Sequence, residues 1–333
     1  MRIIVPMAGM GKRMRPHTLT TPKPLVPVAG KPIVQHLVED ILRMCKSDVE
    51  EIAFVVGRFG EEAERSLIGI AESLGARGTI HYQDTPLGTA HAILCAESAL
   101  RGPVVIAFAD TLFSADFNID PQCDGVIWVK QIDDPSQFGV VKTTDNGTIT
   151  DFVEKPSEFV SDLAIIGIYY LRDGENLKQE LQYLIDNNIC EKGEFQLTNA
   201  LEHMKAKGKI LKAGRVDEWL DCGNKDATVH TNRRVLEIKY PDNRIAATAR
   251  ITDSVIIPPC LIADGAVVER SVIGPHVSLG TGSSISDSRV RNSIVRDHTS
   301  LSGTCIDNSL IGSHVKHSGT WSDLSIGDYS TQA

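Results

Sequence analysis

Two glycines follow the first apolar run of the chain, in Pro6-Met7-Ala8-Gly9-Met10-Gly11-Lys12-Arg13. Without a Cβ, backbone N–H groups can approach a phosphate oxygen closely, and Lys12 and Arg13 add positive charge beside them. Further on, Lys23 stands between Pro22 and Pro24. The prolines fix φ and pre-position this lysine as a phosphate contact requires, although taken alone it is equally a solvated loop lysine. A third chemical group, the Asp110 carboxylate, closes the apolar run Val104-Val105-Ile106-Ala107-Phe108-Ala109. In open α/β sheets ligands bind at the carboxyl ends of the strands, so the glycine loop and Asp110 should meet there. A GxG loop also opens dinucleotide-binding units, but here Met14 occupies the place of the third glycine and RPHTLTTPKPL follows instead of a helix.

The elements that must hold these groups come in two kinds. Up to about Tyr240, the apolar runs RIIVP, EIAFVVG, TIHYQ, VVIAFAD and GVIWVK alternate with helical patterns at Ile33–Cys45, Glu61–Leu74, His91–Leu100 and Asn224–Ile238. Strands apolar on both faces and separated by helices predict an α/β domain at 1–240, Rossmann-like, with a mostly parallel sheet and helices on both faces. From Ile245 the helical pattern gives way to aliphatic residues every five or six positions: Ile251, Ile257, Ile262, Val268, Ile273, Leu279, Ile285, Val290, Val295, Leu301, Ile306, Ile311, Trp321 and Ile326. That period fits a hexapeptide repeat, and predicts a left-handed parallel β-helix at 245–333, its coils running to about Ser330 at roughly 18 residues each. Such coils most often stack or oligomerise, which makes His276, His298, His314 and His317 surface or turn residues.

Composition narrows the function classes. Lys and Arg number 34 against 43 Asp and Glu, a net charge of −9 that argues against general nucleic-acid binding. Seven scattered cysteines without a CxxC pair read as reduced thiols. No apolar run reaches the roughly 20 residues that span a bilayer, and the start meets glycine and charge too early for a signal peptide. A soluble cytoplasmic protein is the expectation.

AGMGKRMRP followed by TTPKPLVPVAGKP resembles the signature of the sugar-1-phosphate nucleotidyltransferases, GGxGTRLxP followed by PKPLLPVAGKP, with Ala8 for the first glycine and Lys12 for the threonine. Further motifs follow in the family's order. Tyr82-Gln83-Asp84-Thr85-Pro86-Leu87-Gly88-Thr89-Ala90 is similar to its nucleobase segment, in which a glutamine faces the base. Gln83 both donates and accepts, so it could pair with the O and N–H edge of thymine or uracil; alone it could equally be a strand-end residue bonded to backbone. Ala107-Phe108-Ala109-Asp110 and Trp219-Leu220-Asp221-Cys222-Gly223 resemble the two metal-binding segments, and two carboxylates from separate strand ends suit Mg²⁺. Phe138-Gly139-Val140-Val141 and Val153-Glu154-Lys155-Pro156 look like the family's sugar and sugar-phosphate motifs. Gly167 falls where it has another sugar-contacting glycine, and a mid-strand glycine also fits close backbone approach.

The resemblance implies the reaction NTP + sugar 1-phosphate → NDP-sugar + pyrophosphate, Mg²⁺-dependent, with dTTP or UTP and glucose 1-phosphate favoured. It implies nucleotide contacts at Ala8, Gly9, Gly11, Lys12, Arg13, Gln83, Pro86, Gly88 and Thr89, and catalytic roles for Arg13, Lys23 and Asp110. Sugar-phosphate contacts fall to Gly139, Glu154, Lys155 and Gly167, and metal ligation to Asp110 and Asp221. Alternatives are a uridylyl- or guanylyltransferase for another sugar 1-phosphate, and a CoA-dependent sugar acetyltransferase on the β-helix with His298 or His317 as base. The β-helix edge, with unpaired strands and aliphatic ladders, predicts a homo-oligomer.

Overall fold

The structure is a computed structural model that describes residues 1–45, 48–115 and 123–320. Trp321, Ile326 and the rest of the expected repeats to Ser330 lie outside the described residues. Contacts divide the chain into two compact units, Met1–Val26 with Lys31–Gly223, and Pro27–Gly30 with Asn224–Ala333.

The first unit is built on a nine-stranded sheet. Its strands are β1 Arg2–Pro6, β2 Glu51–Val56, β3 Arg77–Tyr82, β4 Val104–Ala107, β6 Gly125–Gln131, β7 Val140–Thr143, β8 Ile149–Val153, β9 Leu163–Leu171 and β10 Leu211–Arg215. A separate two-stranded ribbon pairs β5 Thr111–Ser114 with β11 Glu218–Asp221. The helices of this unit are α1 Ile33–Met44, α2 Glu61–Ser73, α3 Thr89–Cys95, α4 Gly174–Asp186 and α5 Leu197–Ala206.

The path of the sheet is β8-β7-β9-β4-β1-β2-β3, with β6 paired to β9 and to β10. Strands β4, β1, β2 and β3 run parallel, as the βα alternation predicts. Both β2 and β4 are buried along their whole length, so both faces of this half are covered. Past Asp110 the sheet is mixed, because β9 runs antiparallel to β4, β6 and β7. Strand β9 also changes neighbours along its length. Its first half meets β7 at Ala164↔Val140 and its second half meets β4 at Ile168↔Ala107. Between them the register with β6 shifts and Gly167 takes φ +85°. A split therefore opens in the sheet beside the end of β4, one residue short of the Phe108-Ala109-Asp110 turn.

Helix α3 begins at Thr89, ahead of the predicted His91, and gives way to a short 3₁₀ turn at Glu97–Ala99. Gly88 accounts for the earlier start. It sits at φ +114°, and a Cβ there would lie 2.4 Å from the Phe195 carbonyl oxygen, so only glycine lets the chain turn into the helix at this point.

The second unit contains α6 Lys225–Lys239, capped by the Asn224 side chain accepting from Ala227 N–H at 3.0 Å, and three stacked parallel sheets. This is the arrangement of a left-handed hexapeptide β-helix. Its core holds Ile262, Val268, Ile273, Leu279, Ile285, Val290, Val295 and Leu301, with Ile251, Ile306 and Ile311 packed against them. Ile257 departs from the predicted series. The register Ile256↔Ile273 puts its neighbour Ile256 inside and leaves Ile257 at the surface. Coils are also shorter than the predicted 18 residues. Ladder partners Arg250, Val267, Ser284, Ser300 and Lys316 are spaced by 17 and then 16. The step from 17 to 16 falls at the corner between Val290 and Ser293 and again between Ile306 and Ser309, turned by the left-handed Asn292 and Asn308.

Columns of small hydroxyls line these corners. Ser271 and Ser288 each donate to a carbonyl two residues back, at 2.7 and 2.6 Å, and accept the N–H of the next coil from Ser288 and Thr304, both at 3.1 Å. Each hydroxyl so satisfies a buried turn donor that no strand ladder reaches. One face of the stack is covered by α6. Leu261, Ser278, Ile294 and Leu310 alternate outward from the core, yet all four are buried, and α6 packs on the Ser293–Val295 and Ser309–Ile311 strands.

Candidate active site

The glycine loop leaves β1 at Pro6 and is shaped by its neighbours. Gly11 is left-handed at φ +58°, and a Cβ there would come within 2.9 Å of Lys23 Cβ and 3.1 Å of Thr18 Cγ2. Thr18 Oγ1 donates to the Gly11 carbonyl at 2.8 Å. The loop is thereby closed against the lysine between the prolines. Gly9, in contrast, has no atom of the described residues within 4 Å of where its Cβ would be. Lys12 and Arg13 start a 3₁₀ turn and are exposed.

Two adjoining clefts open here, of about 430 and 300 Å³, and they share Arg13, Thr89, Phe108 and Asp110. The first is lined by Ala8, Gly9, Gly11, Lys12, Lys23, Gln83, Pro86 and Gly88 as well. The second lies in the sheet split and includes Gly139, Glu154, Lys155, Gly167 and Asp221. Every site residue expected from the sequence therefore lines one cleft or the other. The clefts also include residues that the motifs did not single out, Glu194, Gln196 and Thr198 among them.

The ribbon of β5 and β11 explains how two aspartates so far apart in sequence come together. Asp221 is the ladder partner of Thr111, and Cys222 N–H donates to the Asp110 carbonyl at 3.0 Å, so the two aspartates stand one position out of register on the paired chains, close enough for the Asp110 charge to act on Asp221. Lys23 Nζ bonds Asp110 Oδ2 at 2.9 Å. Desolvation in the cleft, then the nearby Asp110 charge, hold the Asp221 carboxyl above the usual range, while Gly223 N–H, Lys23 and Arg13 pull it back. A Cβ on Gly223 would lie 2.7 Å from Asp221 Oδ2 and 3.3 Å from Arg13 Nη2, so this glycine gives both charged groups their room.

At the other end of the first cleft, Gln83 Nε2 donates to the Gly88 carbonyl at 3.1 Å and lies 3.1 Å from His91 Nδ1. Burial lowers the His91 pKa, so at neutral pH the ring is uncharged and can accept from the amide. In the second cleft Thr198 Oγ1 donates to Glu154 Oε2 at 3.3 Å, and Lys155 Nζ stands 3.8 Å from Oε1. Burial raises the Glu154 pKa, with Lys155 and Thr198 opposing the shift. A Cβ on Gly139 would come within 3.0 Å of the same carboxylate. Lys155 adopts φ +39° ahead of Pro156, a strained backbone of the sort that clusters at ligand sites. Trp219 lines this cleft and packs edge-on against Phe138, and its buried indole N–H has no acceptor among the described residues.

A hard divalent cation fits the donor set. Asp110 and Asp221 supply oxygen only, and among the described residues no group of three or more His, Cys, Asp or Glu gathers to hold a metal. Two carboxylates with the remaining positions left to water and phosphate suit Mg²⁺.

A mixed α/β sheet with a glycine loop, paired aspartates and two joined clefts defines a phosphate-handling transferase. The chain belongs to the nucleotidyl transferase family, whose profile (Nucleotidyl transferase) matches residues 3–238. It is 30% identical over 328 residues to a glucose-1-phosphate thymidylyltransferase of Streptomyces antibioticus, covering 91% of this chain and 89% of that one. It is also 30% identical over 277 residues to the bifunctional protein GlmU of Methanococcus maripaludis, covering 81% of this chain and 62% of the relative. Among solved structures, a UDP-glucose pyrophosphorylase complexed with UDP-glucose superposes with a TM-score of 0.58 at 25% identity, over 71% of this chain and 98% of the other. No helix among the described residues is long and apolar enough to cross a membrane.

Proposed function

We propose that this nucleotidyltransferase joins a pyrimidine nucleoside triphosphate, dTTP or UTP, to glucose 1-phosphate, giving the NDP-sugar and pyrophosphate. The observation that carries the reading is the meeting of the two clefts at Arg13 and Asp110, one reaching to Gln83 and the other to Glu154 and Lys155. With the Gln83 amide N–H groups turned toward Gly88 and His91, the oxygen Oε1 is left to accept the ring N–H that thymine and uracil carry. Cytosine offers an acceptor at that place and is disfavoured.

In the reaction an oxygen of the sugar phosphate attacks the α-phosphorus in line. The new O–P bond forms as the bond to the β-phosphate oxygen breaks, and pyrophosphate leaves with the electron pair. No enzyme nucleophile is needed, so the task is alignment and charge neutralisation. The open face of Gly9 admits the nucleotide phosphates to the backbone, Arg13 and Lys12 hold the triphosphate and the departing pyrophosphate, and Lys23 attends the α-phosphate. Lys155 binds the attacking phosphate, and Glu154 accepts from sugar hydroxyls. Mg²⁺ held by Asp110 and Asp221 would supply Lewis-acid polarisation of the phosphate oxygens. The β-helix is proposed as a homo-oligomer contact, with Val255 and Ile257 exposed on its first coil, and a monomer by light scattering would end that part.

Pyrophosphate release across dTTP, UTP, CTP, ATP and GTP against glucose, mannose, galactose and glucosamine 1-phosphates tests the function. A dominant pyrimidine and glucose 1-phosphate response is expected, and activity confined to purine nucleotides would refute the base assignment. The bifunctional relative and the β-helix favour a second reading, an added acetyltransferase, which acetyl-CoA consumption with glucosamine 1-phosphate would reveal.

A further inference from the structure

We propose that Lys23 stands in for the divalent cation in the free protein, so that Asp110 becomes available to a metal ion only when nucleotide phosphates draw the lysine away. The inference rests on Asp110 and Asp221 being the metal carboxylates.

Three observations carry it. The Lys23 ammonium bonds Asp110 Oδ2 directly at 2.9 Å, and its side chain is only 10% exposed where that of Asp110 is 44% exposed. The lysine is therefore the settled partner, and the carboxylate faces the cleft. Its position is enforced from two sides, by Pro22 and Pro24 in sequence and by Gly11, whose missing Cβ leaves room for the lysine stem. Arg13 stands near the second carboxylate, since the place of a Gly223 Cβ lies 2.7 Å from Asp221 Oδ2 and 3.3 Å from Arg13 Nη2. The two carboxylates thus already share the site with two cations.

A bare divalent ion would have to enter beside the ammonium on the same carboxylate, against the repulsion of like charges. The nucleotide changes this balance. Its phosphates bring negative charge into the cleft that Lys23 also lines, and offer the ammonium a stronger acceptor than the carboxylate it leaves. Lys23 then turns from Asp110 to phosphate, and the metal arrives with the nucleotide it serves. One lysine thereby couples metal entry to nucleotide entry, and does so without a moving lid.

Binding of Mn²⁺ to the full chain, followed by loss of the free-ion electron paramagnetic resonance signal, tests this apart from turnover. Wild type should bind Mn²⁺ weakly alone, and at least 10-fold more tightly with uridine 5′-(α,β-methylene)triphosphate after the nucleotide's own chelation is subtracted. Lys23→Gln should bind Mn²⁺ at least 10-fold more tightly than wild type without nucleotide, and adding Asp110→Asn should abolish that gain. Lys23→Met serves as a second neutral variant should the first fail to fold. Equal Mn²⁺ affinity of wild type and both neutral variants without nucleotide would overturn the inference and leave the metal assignment standing. No Mn²⁺ binding by any variant, with nucleotide still bound, would overturn both.

Discussion

At Asp221 the charge that the proposed metal site requires works against the folded protein. Its carboxyl is held above the usual range, so the ionised form is less favourable folded than unfolded. The sign follows: its stabilising contribution is present in the protonated form at low pH and is lost as pH rises through the raised folded pKa. Glu154 behaves the same way, for the same first cause, burial. Asp221→Asn is therefore expected to melt no lower than wild type at pH 7. Its advantage should shrink on the acid side, while turnover falls on the order of 10²–10³-fold, as when one electrostatic contact to developing charge is removed. Melting curves from pH 4 to 8 beside pyrophosphate release check both, and a variant that loses stability at neutral pH would contradict the sign. Asp110→Asn should lose turnover on the same scale, and near-normal Mg²⁺-dependent activity would remove Asp110 from the metal site. Glu51 has the opposite sign. It is buried against Arg2, Arg77 and Thr79, and its carboxyl is held below the usual range by their hydrogen bonds and charges in spite of burial. Its contribution is present above the unfolded pKa and lost as pH falls through the folded one. Glu51→Gln should lower stability by about 1–3 kcal/mol, measurable in urea, with little change in KM.

The glycines of the site separate two roles that the motif alone merges. No described residue stands within 4 Å of a Gly9 Cβ, so Gly9→Ala should keep the melting temperature within a degree or two and still raise the KM for nucleotide on the order of 10-fold, by pushing the backbone off the phosphates. Gly88 is clasped by Phe195 backbone at positive φ, so Gly88→Ala should cost the fold about 3 kcal/mol or more as well as nucleotide binding. Thermal melts and initial rates on the pair decide it, and an unstable Gly9→Ala would mean that this loop is packed in a way its open surroundings do not suggest. The same contrast marks what the sequence made legible. Strands β1, β2 and β4 could be read because parallel strands buried on both faces are continuous apolar runs. The antiparallel half was harder, since short strands such as Val140–Thr143 and Ile149–Val153 set two polar residues side by side, Lys142-Thr143 and Thr150-Asp151, and so show neither a continuous apolar run nor a clean alternation. The clefts' motif residues were legible because the chain keeps the family's order of short signatures. Gln196 and Thr198 were not, because they reach the cleft through Thr89, whose hydroxyl donates to Gln196 and accepts from Leu197 N–H across more than a hundred residues. No local pattern encodes such a clasp.

For the chain as a whole, the change of periodicity at about 240–245 marks where the repeats begin, and a cut there need not leave a self-sufficient part. Helix α6 precedes that point in sequence but packs on the β-helix, and so does the short segment Pro27–Gly30. Asn232, fully buried on α6, accepts from Ala29 N–H at 2.8 Å and from Ser278 Oγ at 2.7 Å. A Cβ on Gly30 would lie 2.8 Å from Leu261 Cδ1. A protein ending at Tyr240 would keep α6, whose buried aliphatic residues are Val229, Val235 and Leu236, and lose the strands Ser293–Val295 and Ser309–Ile311 on which that helix packs, with the buried outward row Leu261, Ser278, Ile294 and Leu310. At about 1.5–3 kcal/mol for each of three large side chains, the loss is roughly 5–9 kcal/mol, comparable with the whole stability of an ordinary domain, about 5–15 kcal/mol. Residues 1–240 expressed alone are therefore expected to aggregate or to melt at least ten degrees below the full chain, as judged by soluble yield and circular dichroism, even though every residue that lines the two clefts is retained. A soluble, monodisperse 1–240 with full pyrophosphate release would instead establish that the catalytic part is autonomous, and that the β-helix adds assembly and not support.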